Sequence, residues 1–160
     1  MTLEPIQQLY LNSIKGRPSA EVFLGIACLY SLLEKKLADY FTPYDLTTVK
    51  FNALMIIKHL GGEGGLSQNE IGEYLLVTPS NITRLIDRLI VDRYVVRVPS
   101  EKDRRANIVK ITPKGSHILN KVWHGFGEIA QQTVYLLEKS EVKELSALLL
   151  KWLVKLEEQR

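Results

Sequence analysis

The sequence predicts a mainly α protein with one small β hairpin, and three observations carry the prediction. Two short amphipathic segments follow one another closely between Ser67 and Ile90. Two β-branched runs, Tyr94 to Val98 and Ile108 to Ile111, bracket a charged loop. Longer amphipathic segments precede and follow this middle part.

The chain opens with a short amphipathic segment over residues 4–14, with Ile6, Leu9, Tyr10 and Ile14 on one side and Gly16-Arg17-Pro18 as its stop. A long helix then runs to about Tyr40. Its main stripe is Val22, Ile26, Leu29, Tyr30, Leu33, Leu37 and Tyr40, and Leu24, Cys28 and Leu32 form a second stripe on the far side. A helix apolar on two faces must be covered twice, by a second subunit or around a ligand cavity. Thr47 caps the next helix, which Gly61-Gly62-Glu63-Gly64-Gly65 terminates. This glycine run follows a helix and has no lysine, so it reads as a flexible connector and not as a phosphate cradle.

Ser67 and Glu70 have the spacing of a capping box, opening a helix whose stripe is Ile71, Tyr74 and Leu75. Thr78 as N-cap and Pro79 at the first helical position open the second helix. Ile82, Leu85, Ile86, Leu89 and Ile90 share one face of it; Ser80, Arg84, Asp87 and Arg88 point the opposite way, with Asn81 and Thr83 on the flanks. Hydroxyls, an amide and guanidiniums are the groups that read base edges and phosphates in a major groove. Two such helices followed by a hairpin with a cationic tip make a winged helix-turn-helix. After the wing, Thr112-Pro113 caps a long helix to about Glu138, with Ile118, Val122, Ile129 and Leu136 or Leu137 on its apolar face. Ser140 starts a last one, where Val142, Leu145, Leu149, Trp152 and Leu156 form a coiled-coil-like seam. One compact helix-turn-helix cannot cover all these outer helices, which favours a symmetric homodimer. The expected organisation is one intertwined domain: residues 1–46 for dimerisation, 47–112 as the DNA-binding lobe, and 113–160 for dimerisation again.

The run Ser80-Asn81-Ile82-Thr83-Arg84-Leu85-Ile86-Asp87-Arg88-Leu89, together with Asp103-Arg104-Arg105 and Val109-Lys110-Ile111-Thr112-Pro113-Lys114-Gly115, resembles the MarR family of winged-helix transcriptional regulators. The resemblance and the residue chemistry together imply that the helix beginning at Pro79 enters the major groove. Arg84 is then the base reader, Arg88 reads a base or holds a phosphate, and backbone N–H groups near Ser67 meet phosphate. Arg105, in the D-x-R position, reaches the minor groove, steadied by Asp103, while Lys102 and Arg104 contact phosphate. The resemblance also implies a repressor acting on a pseudopalindromic site and released by an apolar or aromatic carboxylate, with Tyr30, Tyr40, Phe41 and His59 as lining candidates. It leads one to expect glycine where this chain has Arg93, at the end of the recognition helix. The helix–helix turn, Leu76-Val77, also lacks glycine.

Charge distribution agrees with a polyanion partner. Between Arg93 and Lys114 seven basic residues face two acidic ones, a local +5 in a chain whose net charge is +3. One cysteine excludes an internal disulfide and fits a reducing compartment. No apolar run approaches a membrane span and no signal peptide is evident, so a cytoplasmic location is expected. No catalytic motif appears, and neither an enzymatic function nor a cofactor is expected. His117 and His124 share a helix face but have too few companions for a metal site. Two alternatives stand beside the DNA reading: a winged-helix module that binds another protein, and a regulator that senses oxidants through Cys28. Cys28 has apolar neighbours and no basic residue one turn away to stabilise a thiolate, which favours a packing thiol.

Overall fold

The computed structural model describes residues 5–75, 78–100 and 107–159. Helices α1 (Pro5–Ile14) and α2 (Pro18–Phe41) lead through a 3-10 turn at Thr42–Tyr44 into α3 (Thr48–His59). Strand β1 (Leu66–Ser67), helices α4 (Gln68–Leu75) and α5 (Pro79–Val91), and strands β2 (Val95–Pro99) and β3 (Asn107–Ile111) follow. Helices α6 (Pro113–Val134) and α7 (Lys139–Glu157) complete the chain. Contacts divide the chain into two compact units, residues 1–122 and 123–160, with the division inside α6.

In the first unit the sheet is antiparallel with order β1-β3-β2. Val95 pairs with Ile111 and Val98 with Ile108, within the two predicted runs, and the ladder continues one pair into the expected loop, Pro99 with Asn107. Sequence reading missed β1, which adds Leu66 and Ser67 against Val109 and Ile108. Two residues are too few to show an alternating pattern. The glycine run is also more constrained than a connector. Gly65 has φ +77°, and a Cβ there would stand 2.8 Å from the Val109 carbonyl oxygen, so glycine lets the chain enter the sheet.

Among the described residues the fully apolar core lies between Phe41 and Val122. It includes Phe41, Phe51, Leu54 and Ile57 near α3, Ile71 from α4, Ile82, Ile86 and Leu89 from α5, Val95 and Val109 from the wing, and Leu119 and Val122 from α6. Each such side chain contributes roughly 1.5–3 kcal/mol by leaving water. Tyr74 does not join them. It is 57% exposed, because α4 turns inward the face that carries the buried Ile71 and Gly72, the latter against Ile82.

The ends of α5 and α6 are fastened together. Arg93 is left-handed at φ 62°. Its N–H donates to the Ile90 carbonyl and that of Tyr94 to Leu89, both at 2.9 Å, a Schellman closure of α5 completed without glycine. The Thr112 hydroxyl donates toward the carbonyls of Arg93 (2.7 Å) and Tyr94 (3.1 Å) and accepts from the Gly115 N–H (3.0 Å), which confirms the predicted cap of α6. A Cβ at Gly115 would collide with the Tyr94 carbonyl oxygen, which explains the glycine in Thr112-Pro113-Lys114-Gly115. Lys114 donates to the Asp92 carbonyl at 2.8 Å and lies over the Tyr94 ring.

The second unit differs from expectation in its boundaries. Helix α6 stops at Val134, before Leu136 and Leu137, which are exposed. Helix α7 begins at Lys139, one residue earlier than expected, because Glu138 and Glu141 form the capping box. No residue of α7 is buried: Leu145, Leu149, Trp152 and Leu156 of the predicted seam are exposed, as are Leu148, Leu150, Leu153 and Val154.

Candidate nucleic-acid interface

The second helix of the predicted pair, α5, forms the surface as its periodicity requires. Ile82, Leu85, Ile86 and Leu89 are buried and Ile90 is half-buried, while Ser80, Asn81, Thr83, Arg84, Asp87 and Arg88 are exposed. The Thr78 carbonyl accepts the first helical bonds from Asn81 and Ile82, but its hydroxyl makes no cap and lies 3.3 Å from that of Ser80. Among the described residues, the guanidiniums of Arg84 and Arg88 enter no ion pair and remain available to a ligand.

Helix α4 supports this surface. The predicted capping box is present: Ser67 N–H donates to the Glu70 carboxylate at 2.7 Å, and Glu70 N–H to the Ser67 hydroxyl at 3.2 Å. Ser67 therefore offers a phosphate only its hydroxyl hydrogen, and the Glu70 charge already complements the helix N-terminus.

A network that sequence reasoning missed ties α4 and β2 to α5. The Gln68 amide donates to the Thr83 hydroxyl at 2.6 Å. One terminal nitrogen of Arg97 donates to Gln68 Oε1 at 3.1 Å and to Asp87 Oδ1 at 3.0 Å. Arg97 and Lys114, both counted in the cationic hairpin, are thus engaged inside the lobe. The signal was present only as opposite charges on facing elements, and their register was not legible. Lys102, Asp103, Arg104 and Arg105 lie outside the described residues, as does the Leu76-Val77 turn.

Of the candidate ligand residues, Tyr40 and Phe41 are in ring contact, with centroids 5.4 Å apart. Phe41 is fully buried and packs on Phe51 with ring centroids 4.9 Å apart, so it is a core residue in this conformation. Tyr40 is half-buried and its hydroxyl donates to the Val122 carbonyl at 2.6 Å. Tyr30 is exposed on α2, ten residues and about 15 Å further along the helix. His59 is exposed at the end of α3, and Cys28 is half-buried on α2. Among the described residues no three His, Cys, Asp or Glu side chains are grouped to hold a metal, and no helix is long and apolar enough to cross a membrane.

Comparison with known proteins agrees with this geometry. The sequence signature of the MarR family matches residues 44–106, which contain α3 to β2. The multiple antibiotic resistance protein MarR of Salmonella typhimurium is 31% identical over 127 residues, covering 77% of this chain and 86% of that protein. The chain belongs to the MarR family. Two crystal structures extend the likeness over most of this MarR-family chain. A putative MarR-like transcription regulator from Bacillus cereus superposes with TM-score 0.75 at 28% identity, over 88% of this chain and 99% of that one. A cysteine-to-serine mutant of E. coli MarR, crystallised in complex with operator DNA, gives 0.74 at 27% identity, over 89% and 97%. The winged helix-turn-helix is the MarR fold, and its second helix is the one that presents Arg84 and Arg88.

Proposed function

We propose that this MarR-family chain is a homodimeric, sequence-specific regulator of transcription that binds double-stranded DNA through α5. The observation that carries the reading is the division of α5 into a buried apolar face and an exposed face of Ser80, Asn81, Thr83, Arg84 and Arg88. The MarR relative crystallised with operator DNA supports it. In this reading α5 enters the major groove with its N-terminal end foremost, Arg84 reads a base, and Arg88 reads a base or holds a phosphate. Ser67, Lys102 and Arg104 meet phosphate, and Arg105, steadied by Asp103, enters the minor groove. Residues 1–46 and 113–160 supply the dimer helices, and the unburied length of α7 supports a second copy as their cover. Repression relieved by an apolar or aromatic carboxylate completes the proposal. Such a ligand acts by favouring a dimer whose recognition helices no longer match successive grooves, and linkage requires the DNA to weaken ligand binding by the same factor.

The test starts from DNA fragments retained by the purified protein. On the preferred site Arg84→Ala should lose about 1–3 kcal/mol, the worth of one bidentate base contact, while random duplex changes much less. Equal losses on both would reassign Arg84 to a phosphate.

A further inference from the structure

The exposed face of α5 holds one carboxylate among its hydroxyls, amide and guanidiniums. Asp87 lies one turn from Arg84 and beside Arg88, and its side chain is 55% exposed. A carboxylate there repels phosphate and competes for the guanidiniums meant for DNA. Neither arginine pairs with it. The cation at Asp87 is Arg97, which comes from β2 and meets Oδ1 at 3.0 Å. The same Arg97 nitrogen gives its second hydrogen to Gln68 Oε1. Because a guanidinium has only donors, this bond fixes which way the Gln68 amide faces: oxygen toward Arg97, nitrogen toward Thr83, where it donates at 2.6 Å. Three elements are therefore joined at one point, at two positions of α5 four residues apart.

We propose that Arg97 is a positioning residue for sequence recognition: it cancels Asp87 and, through Gln68 and Thr83, fixes the rotational setting of α5 from which Arg84 reads its base. The inference rests on the reading in which α5 enters the major groove. Arg97 itself contacts neither base nor phosphate.

Three variants test it against both the preferred duplex and a random one, across a range of salt. Arg97→Met exposes Asp87 and should weaken the preferred duplex more than tenfold and the random duplex a few-fold. Arg97→Met combined with Asp87→Asn restores the charge balance. Random-duplex affinity and the slope of log K against log[salt] should return to those of the unmodified protein, while the preferred duplex remains at least five-fold weaker. Gln68→Ala keeps the ion pair and should also lower discrimination, with the salt slope unchanged; it decides the matter if the Arg97 variants do not fold. Full recovery of discrimination in the double variant overturns the proposal, as does a slope lower by about 0.9, which marks a phosphate contact. Unchanged discrimination in Gln68→Ala overturns it too. Arg84→Ala runs alongside. If it lowers discrimination and the Arg97 variants do not, the positioning role alone fails. If it leaves discrimination intact, or the unmodified protein discriminates no duplex, the major-groove reading fails and the positioning role falls with it.

Discussion

The Lys50 ammonium meets the Asp92 carboxylate at 2.8 Å, at the point where α5 ends. Lys50 also donates to the Asp45 carbonyl at 3.3 Å, and both side chains of the pair are largely withdrawn from solvent, at 14% and 22% exposure. Asp92 is the C-cap of α5, and its own carbonyl accepts from Lys114. One residue therefore connects α3, α5 and the start of α6.

Removing either partner leaves a partly buried charge without its counterion. Lys50→Met should cost about 1–3 kcal/mol, the penalty of leaving a buried polar group unsatisfied. In a chain of this size that lowers the melting temperature by roughly 3–10 °C. Denaturation of Lys50→Met, Asp92→Asn and the double variant should give a favourable coupling energy of at least about 0.5 kcal/mol. Simple additivity would show that the pair contributes nothing beyond its parts.

Bringing glycine in at position 93 and taking it out at position 115 should both change stability. Arg93 holds a left-handed conformation that costs an L-residue about 1–2 kcal/mol, partly offset by the chain entropy glycine brings to the unfolded state. Arg93→Gly should therefore stabilise by about 0.5–1 kcal/mol in urea melts. Gly115→Ala would gain about 1 kcal/mol from helix propensity alone. Here the new Cβ meets the Tyr94 carbonyl and Ile111, so the steric cost decides and the variant should be less stable by about 1–3 kcal/mol. A more stable Gly115→Ala would disprove the close approach.

Tyr94 links the same joint to pH. Burial raises its hydroxyl above the ordinary value of 10.0, with Asp92 and Asp45 adding to the effect and Lys50 opposing it. The folded protein therefore keeps the proton after the unfolded chain has begun to lose it. That contribution to stability is complete below pH 10 and is lost as pH rises through the higher folded value. Melts from pH 8 upward should show a decline beginning near pH 10. In Tyr94→Phe this part of the decline should disappear, and an unchanged profile would assign it to other groups.

Assembly has a direct test. With a second copy covering α7, the unmodified protein should sediment as a dimer, and Leu149→Glu with Leu156→Glu should release monomers or unfold. A stable monomer from the unmodified sequence would overturn the dimer.

What the sequence disclosed was set within a few residues. The capping box at Ser67 and Glu70, the Thr47 cap, the Thr112 cap and the stripe on α5 each depend on groups at most one or two turns apart. The arginine in place of glycine at position 93 was legible for the same reason. Arg97 and Gln68, 29 positions apart, were not, because which residue of β2 faces α5 depends on packing that no local pattern records. Tyr74 shows the opposite error. A three-residue apolar stripe on an eight-residue helix leaves its rotation undetermined by about one side chain, and the helix settled with tyrosine outward.

Helix α7 has nineteen residues and buries none of them. Most helical stability in proteins comes from packing an amphipathic face and not from the helix alone, so α7 needs a cover for its apolar residues. If a second copy provides that cover, folding of the last seventh or so of the chain obeys mass action, and the melting temperature of the whole depends on how much protein is present. A newly induced cell would then begin with scarce subunits whose C-terminal helices are unsettled. While subunits are scarce, DNA occupancy would rise with the square of their concentration, because a subunit completes its fold only by finding a partner.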